Sequence, residues 1–247
     1  MAGASGVRAK VRELAAQIQA AVGEDLVSLV LYGSALGPDY VEGRSDINFL
    51  VVVRTAPSTV LPRLRPAWPR WRRQGMAVPL VVDRHFLDRA ADVFPMEIAD
   101  LQAQHEVVAG EDLLATVTVK PECLRRQAEF ELRSKWTRLS ALYLQAEELR
   151  RDAAAAFLEA VKSFCILMRH LLRLAGKQAP QPYEQVAREF ATSFGLELPA
   201  THQLLAIRQQ RASWPRERDS LFRQYLSEVE QVVDVADRLV LSGDLVG

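Results

Sequence analysis

Two short clusters in this chain carry residue types that can act on an anionic ligand. The first is Gly33-Ser34, which ends the apolar run Leu26 to Tyr32. Glycine tolerates positive φ and lets the backbone approach a phosphate without a side-chain clash. Serine offers a hydroxyl and a backbone N–H to phosphate oxygens. The second is Asp46-Ile47-Asn48, which enters the apolar run Phe49 to Val53. On a strand, residues two apart face the same side. Asp46 and Asn48 therefore point together, while Ile47 and Phe49 turn into the core. Two carboxylates so placed would hold Mg²⁺, a hard cation that takes oxygen ligands and keeps waters or substrate phosphates. Here one of the two is an amide, whose oxygen can ligate but brings no charge. A polar turn followed by an ordinary strand-entry acid is the plainer account. The order, spacing and context of the two clusters together weigh against it.

Taken as one stretch from Leu31 to Val53, the clusters resemble the signature of the nucleotidyltransferase superfamily. This is the polymerase-beta-like fold of kanamycin nucleotidyltransferase and the streptomycin-type adenylyltransferases. Its signature is Gly-Ser, a short variable spacer, two acidic residues flanking one apolar residue, then a strand. The resemblance implies transfer of a nucleoside monophosphate from an NTP, ATP first, to an acceptor hydroxyl, with pyrophosphate leaving and Mg²⁺ as cofactor. By resemblance, Gly33 and Ser34 are the nucleotide-binding residues. Asp46 and Asn48 occupy the catalytic and metal-binding positions. In the family a third carboxylate comes from a neighbouring strand, at about Ala77 in this chain. No acid stands between Gly75 and Pro79. Asp83 shares Ala77's face by strand parity but lies roughly 20 Å further on at strand rise. Two of three metal positions are then neutral, and impaired catalysis is the expectation. The alternative is a non-catalytic nucleotide-sensing or protein-binding module. A neighbouring Glu97 would be the rescue carboxylate if Phe94 to Asp100 were a strand, and a surface or helix-start acid otherwise.

The elements that must position these residues follow from periodicity. Val11, Leu14, Ala15, Ile18 and Ala21 recur at helical spacing, so Val7 to Val22 reads as a helix ended by Gly23. Leu26 to Tyr32 and Ile47 to Val53 read as strands, and Ala35 to Arg44 as a Gly-, Pro- and Asp-rich loop. Three prolines between Leu61 and Pro69 argue for a broken helix. Its five arginines and two tryptophans could meet an anionic partner, but tryptophans packed on the sheet with solvated arginines is the favoured reading. Met76 to Val82 reads as the third strand. From Pro121 onward the pattern is helical throughout, with five helices to about Leu241 and no strand signals. The fold class expected is α+β: a small mixed sheet with flanking helices over 1–116, followed by an all-α helical bundle over 117–247.

Composition sets outer bounds. Lys+Arg and Asp+Glu are equal at 31 each, so a globally electropositive nucleic-acid binder is disfavoured. The two cysteines, Cys123 and Cys165, have neither metal spacing nor the density of a disulfide framework, which fits a reducing, cytoplasmic setting. The N-terminus lacks the apolar core of a signal peptide, and charged residues interrupt the most apolar stretch, Phe157 to Leu174. The four histidines are scattered without ligand spacing. Glu129 and Glu131 are candidates for a general base by location only, against the simpler reading of i,i+4 pairs with Arg133 and Lys135. Lys135 or Arg133 could also neutralise phosphate. The acceptor is open between a small molecule and a protein. A homo-oligomer is open as well.

Overall fold

The computed structural model describes residues 2–36, 45–145 and 150–239. The chain forms two compact units, Met1–Lys120 and Pro121–Gly247. In the first, helix α1 (Ala2–Val22) presents Val7, Val11, Leu14, Ala15, Ile18 and Val22 along one buried stripe, because these positions repeat at three and four. After it come β1 (Leu26–Tyr32), β2 (Asn48–Val53), α2 (Pro57–Leu64), α3 (Trp68–Arg73), β3 (Leu80–Asp83), α4 (Arg84–Val93), α5 (Pro95–Ala103) and β4 (His105–Gly110).

The sheet order is β3-β2-β1-β4. β1 runs antiparallel to both β2 and β4, and β2 runs parallel to β3, so the sheet is mixed. β2 is covered on both faces, which is why Phe49 to Val53 is a continuous apolar run rather than an alternating one. Phe49, Val51 and Val53 pack with α1, α2 and α3. Leu50 and Val52 pack with α4 and α5.

Several details depart from the sequence reading or resolve it. The proline-rich stretch is a helix broken in two, and Trp71 is buried with its Nε1 donating to Gln17 Oε1 at 2.8 Å. Arg63 pairs with Asp25 and Arg70 with Glu13, so part of the arginine set serves the unit itself. The third strand is shorter than expected, because Met76 makes only an isolated bridge to Ile47 and ladder pairing begins at Leu80. Phe94 to Asp100 is not a strand but belongs to α5, and Glu97 sits exposed in its first turn. The fourth strand is instead His105–Gly110, which the sequence reading left unassigned. Of the expected loop Ala35 to Arg44, Ala35 and Leu36 finish a 3-10 turn that starts at Gly33, and 37–44 lie outside the described residues.

The second unit contains α6 (Pro121–Leu144), α7 (Arg150–Leu174), α8 (Tyr183–Phe194), α9 (Pro199–Arg208) and α10 (Arg218–Arg238). α7 contributes Phe157, Val161, Phe164, Cys165 and Met168 to the core, and α10 contributes Phe222, Tyr225, Val229 and Val232. Phe157 stacks on Phe222 with ring centroids 4.1 Å apart. Gly195 closes α8 in the left-handed region, at φ 65°. No helix among the described residues is long and apolar enough to cross a membrane.

Candidate functional site

The site is assembled where β1 and β2 reach the end of the sheet. Tyr32, the last residue of β1, pairs with Asn48 on β2 and with His105 on β4. Directly paired residues share a face, so Asn48, Tyr32 and His105 form a row across three strands. The same face, further along the strands, is the one covered by α4 and α5. Tyr32 is partly buried, and that burial pushes its phenol above the ordinary tyrosine range.

Gly33 follows directly. Its φ is 78°, which a side chain would make strained. A Cβ built on it would stand 3.4 Å from Asn48 Nδ2, so the turn and the Asp46-Asn48 pair meet in space. The Gly33 N–H donates to the Gln104 carbonyl at 3.2 Å. That bond ties the turn to the residue before β4 and takes this N–H out of any phosphate cradle. The Ser34 side chain lies outside what the structure describes.

Asp46 is exposed, Asn48 is half-buried, and Ile47 and Phe49 are fully buried beneath them. The expected strand parity is therefore present. Asn48 Nδ2 donates to the Asp46 carbonyl at 3.5 Å, a long and weak bond. Ile47 donates to the Gly75 carbonyl at 2.8 Å and accepts from the Ala77 N–H at 3.0 Å. This brackets Met76 opposite Ile47, both in the α1-side core, and turns Ala77 to the side shared by Asp46 and Asn48. A methyl group stands where the family resemblance calls for a third carboxylate.

The spacing then slips. Ile47 pairs with Met76 but Leu50 pairs with Leu80, so β3 carries one extra residue between the two contacts. The slip overturns the simple parity argument for Asp83. Leu80 and Val82 lie on Ala77's side of the sheet, and Asp83 lies on the other. There it caps α4, accepting from the Phe86 N–H at 2.6 Å.

His105 is mostly covered by its own neighbourhood. Its Nδ1 lies 3.2 Å from the Gln102 carbonyl and its Nε2 lies 3.3 Å from an Asp112 carboxylate oxygen. Asp112 also accepts from the Ala115 N–H at 3.1 Å. The sequence offered one signal for this row, the direct attachment of Tyr32 to the Gly-Ser turn. Nothing in it pointed to His105 as the neighbour on the far side.

The donor set bears on Mg²⁺. Among the described residues, the three positions to which the resemblance assigns the metal carry one carboxylate, Asp46, one amide, Asn48, and one methyl, Ala77. Among the described residues, no group of three His, Cys, Asp or Glu side chains converges to hold a metal ion. These residues do not fit a two-metal site held by the protein.

In the second unit the candidate base Glu129 is engaged by Arg133 at 3.2 Å, and Arg133 also grips Asp237 at 2.7 Å. Lys135 donates to Ser163 Oγ at 2.5 Å, and burial pulls its ammonium below the ordinary lysine range.

No protein-family model matches the sequence, and neither does any curated protein. Among solved structures the chain is similar to the crystal structure of spectinomycin adenyltransferase AAD(9) from Enterococcus faecialis with ATP and spectinomycin. The TM-score is 0.57 at 10% identity, over 94% of this chain and 99% of that one. With the sheet, the turn and the strand-entry pair already in place, that likeness identifies the architecture: the chain has the nucleotidyltransferase fold, with a helical C-terminal part.

Proposed function

We propose that this chain binds a nucleoside triphosphate, ATP first, at the turn beside Asp46 and Asn48, and that its capacity for nucleotidyl transfer is impaired. The observation that carries this is the set of residues at the three positions the resemblance assigns to metal: an acid at Asp46, an amide at 48 and a methyl at 77. The support for ATP is the fold neighbour, which was crystallised with it.

In the reaction of this fold family an acceptor hydroxyl attacks the α-phosphorus in line, the bond to pyrophosphate breaks, and the hydroxyl proton leaves to a base. Magnesium supplies charge to both the attacking and the leaving oxygens when it is present. Those three positions of this chain contribute one negative charge to holding it. Removing a group that stabilises charge developing in the transition state costs about 10²- to 10³-fold in rate, and two such positions are neutral here. What remains is recognition: a glycine turn shaped for close approach, and an amide and a phenol beside it. The proposed cytoplasmic location accords with two cysteines, Cys123 and Cys165, that are not bridged to each other.

The test is transfer of label from α-labelled ATP in the presence of Mg²⁺, across a panel of small-molecule hydroxyl acceptors and with the protein itself as acceptor. Wild type is expected to transfer weakly or not at all, and Asn48→Asp combined with Ala77→Glu is expected to raise transfer. Robust transfer by wild type that Asp46→Ala abolishes would overturn the impairment. No gain in the double variant favours the non-catalytic nucleotide-sensing module over a weakened enzyme.

A further inference from the structure

The mismatch between the donor set and a metal has a chemical consequence for how phosphate is held. We propose that the site binds the polyphosphate of its nucleotide without metal, with the Asn48 side-chain amide as a direct phosphate donor. The proposal rests on the nucleotide reading above.

A carboxylate at 48 could only accept hydrogen bonds, and beside Asp46 it would repel phosphate unless a cation stood between. An amide reverses the polarity of that position, since its nitrogen carries two N–H donors. The geometry puts this nitrogen against the turn. Nδ2 is the atom that faces Gly33, 3.4 Å from where a Cβ would be. Its identity as nitrogen is consistent with its contact to the Asp46 carbonyl, an acceptor. At 3.5 Å that contact is weak enough for a phosphate oxygen to displace it. The missing Cβ at Gly33 is the space such an oxygen would enter.

Asp46 is an unfavourable charge beside a bare phosphate. It is exposed, so water and salt screen it. Its role under this proposal is opposite in sign to its role in a metal site. As a metal ligand it would strengthen nucleotide binding; beside a bare phosphate it weakens it.

Calorimetric titration of the full chain with ATP, in excess EDTA and in excess Mg²⁺, decides the matter. Wild type is expected to bind in EDTA within about threefold of its affinity in Mg²⁺. Asn48→Asp is expected to lose at least about tenfold in EDTA, the effect of about one strong hydrogen bond, and to regain affinity with Mg²⁺. Asp46→Asn is expected to tighten binding in EDTA. Binding that requires Mg²⁺ and is weakened by Asp46→Asn would overturn the metal-free mode while leaving the nucleotide reading in place. Absence of ATP binding in both conditions would overturn the two together.

Discussion

The two units place their charged side chains in opposite ways. Among the described residues, the buried charged side chains are Arg169 and Glu228, both in the helical unit. Each holds backbone. Arg169 donates to the carbonyls of Pro180 and Gln181 in the linker before α8. Glu228, on α10, accepts from the Ala200 N–H at 2.6 Å, the Thr201 N–H at 2.8 Å and the Thr201 hydroxyl at 2.6 Å. That carboxylate satisfies the first N–H groups of α9, which otherwise lack acceptors. In the sheet unit the polar side chain buried among the described residues is the neutral Ser28, whose Oγ donates to the Glu111 carbonyl at 2.6 Å, and the acid that matters, Asp46, is exposed at a strand mouth. A buried carboxylate whose oxygens are fully engaged is architecture. An exposed one beside an open turn is available to a ligand. The cleft floored by Glu228, between the end of α8 and α10, is for that reason a poor site for catalysis.

The comparison breaks first at Glu228. Glu228→Ala leaves two buried backbone donors and a hydroxyl without their acceptor, each worth about 1–3 kcal/mol. A loss of about 3–5 kcal/mol is expected in the helical unit. Hydrogen exchange of the amides in 199–208 reads it locally, and unchanged protection there would show that the carboxylate is not the cap. The counterpart in the sheet unit is a backbone position rather than a charge. Gly110 has φ 81°, and a Cβ there would lie 2.0 Å from the Val27 carbonyl oxygen. Gly110→Ala is expected to cost about 3 kcal/mol and to raise exchange across β1 and β4, leaving α9 protected.

A pH series sharpens the same contrast. Burial pushes the Glu228 carboxyl above the ordinary glutamate range, against the lowering pull of the Thr201 hydroxyl and the two amides. The folded chain then binds this proton more tightly than the unfolded chain does. The resulting stabilisation is fully present below the unfolded value, about 4.3, and is lost as pH rises through the raised folded value. The stability difference between wild type and Glu228→Gln is therefore expected to favour wild type more as pH falls from 7 toward 4. A flat difference would mean that burial and the hydrogen bonds cancel, and a difference that shrinks as pH falls would mean that the hydrogen bonds govern this group.

Much of this architecture was legible before any coordinates. Leu26 to Tyr32 matched a strand end to end because an apolar run bounded by Asp25 and Gly33 leaves little choice. Gly23 marked the end of α1 because the left-handed region suits glycine. His105 to Gly110 was not legible. It is a six-residue edge strand whose residues are half-buried or exposed, so neither alternation nor a continuous apolar run shows. The third strand was overextended because Pro79 has no N–H to pair and an extra residue lies between Met76 and Leu80. Within the site, strand parity correctly set Asp46 and Asn48 against Ile47 and Phe49. It failed at Asp83 because one inserted residue reverses every face beyond it. The contact of Gly33 with Asn48, on which the phosphate proposal depends, is tertiary and had no sequence signal beyond the order of the two clusters.

The smallest expected effect tests the sheet unit's half of the comparison. Trp71 is 1% exposed, and its Nε1 donates to Gln17 Oε1 at 2.8 Å. Gln17 is half-buried on α1, so water can reach this edge of the core. Removing its oxygen gives the indole N–H a solvent partner in place of a protein one, and an exchange of that kind costs about 1 kcal/mol. Gln17→Ala should therefore lower stability by about that amount, read as a small shift in the urea midpoint followed by tryptophan fluorescence. A loss as large as that of Glu228→Ala would mean that this edge of the sheet unit is sealed from water as the α9 cap is. The contrast between a helical unit that buries charged side chains and a sheet unit whose indole contact is open to water at its edge would then fail.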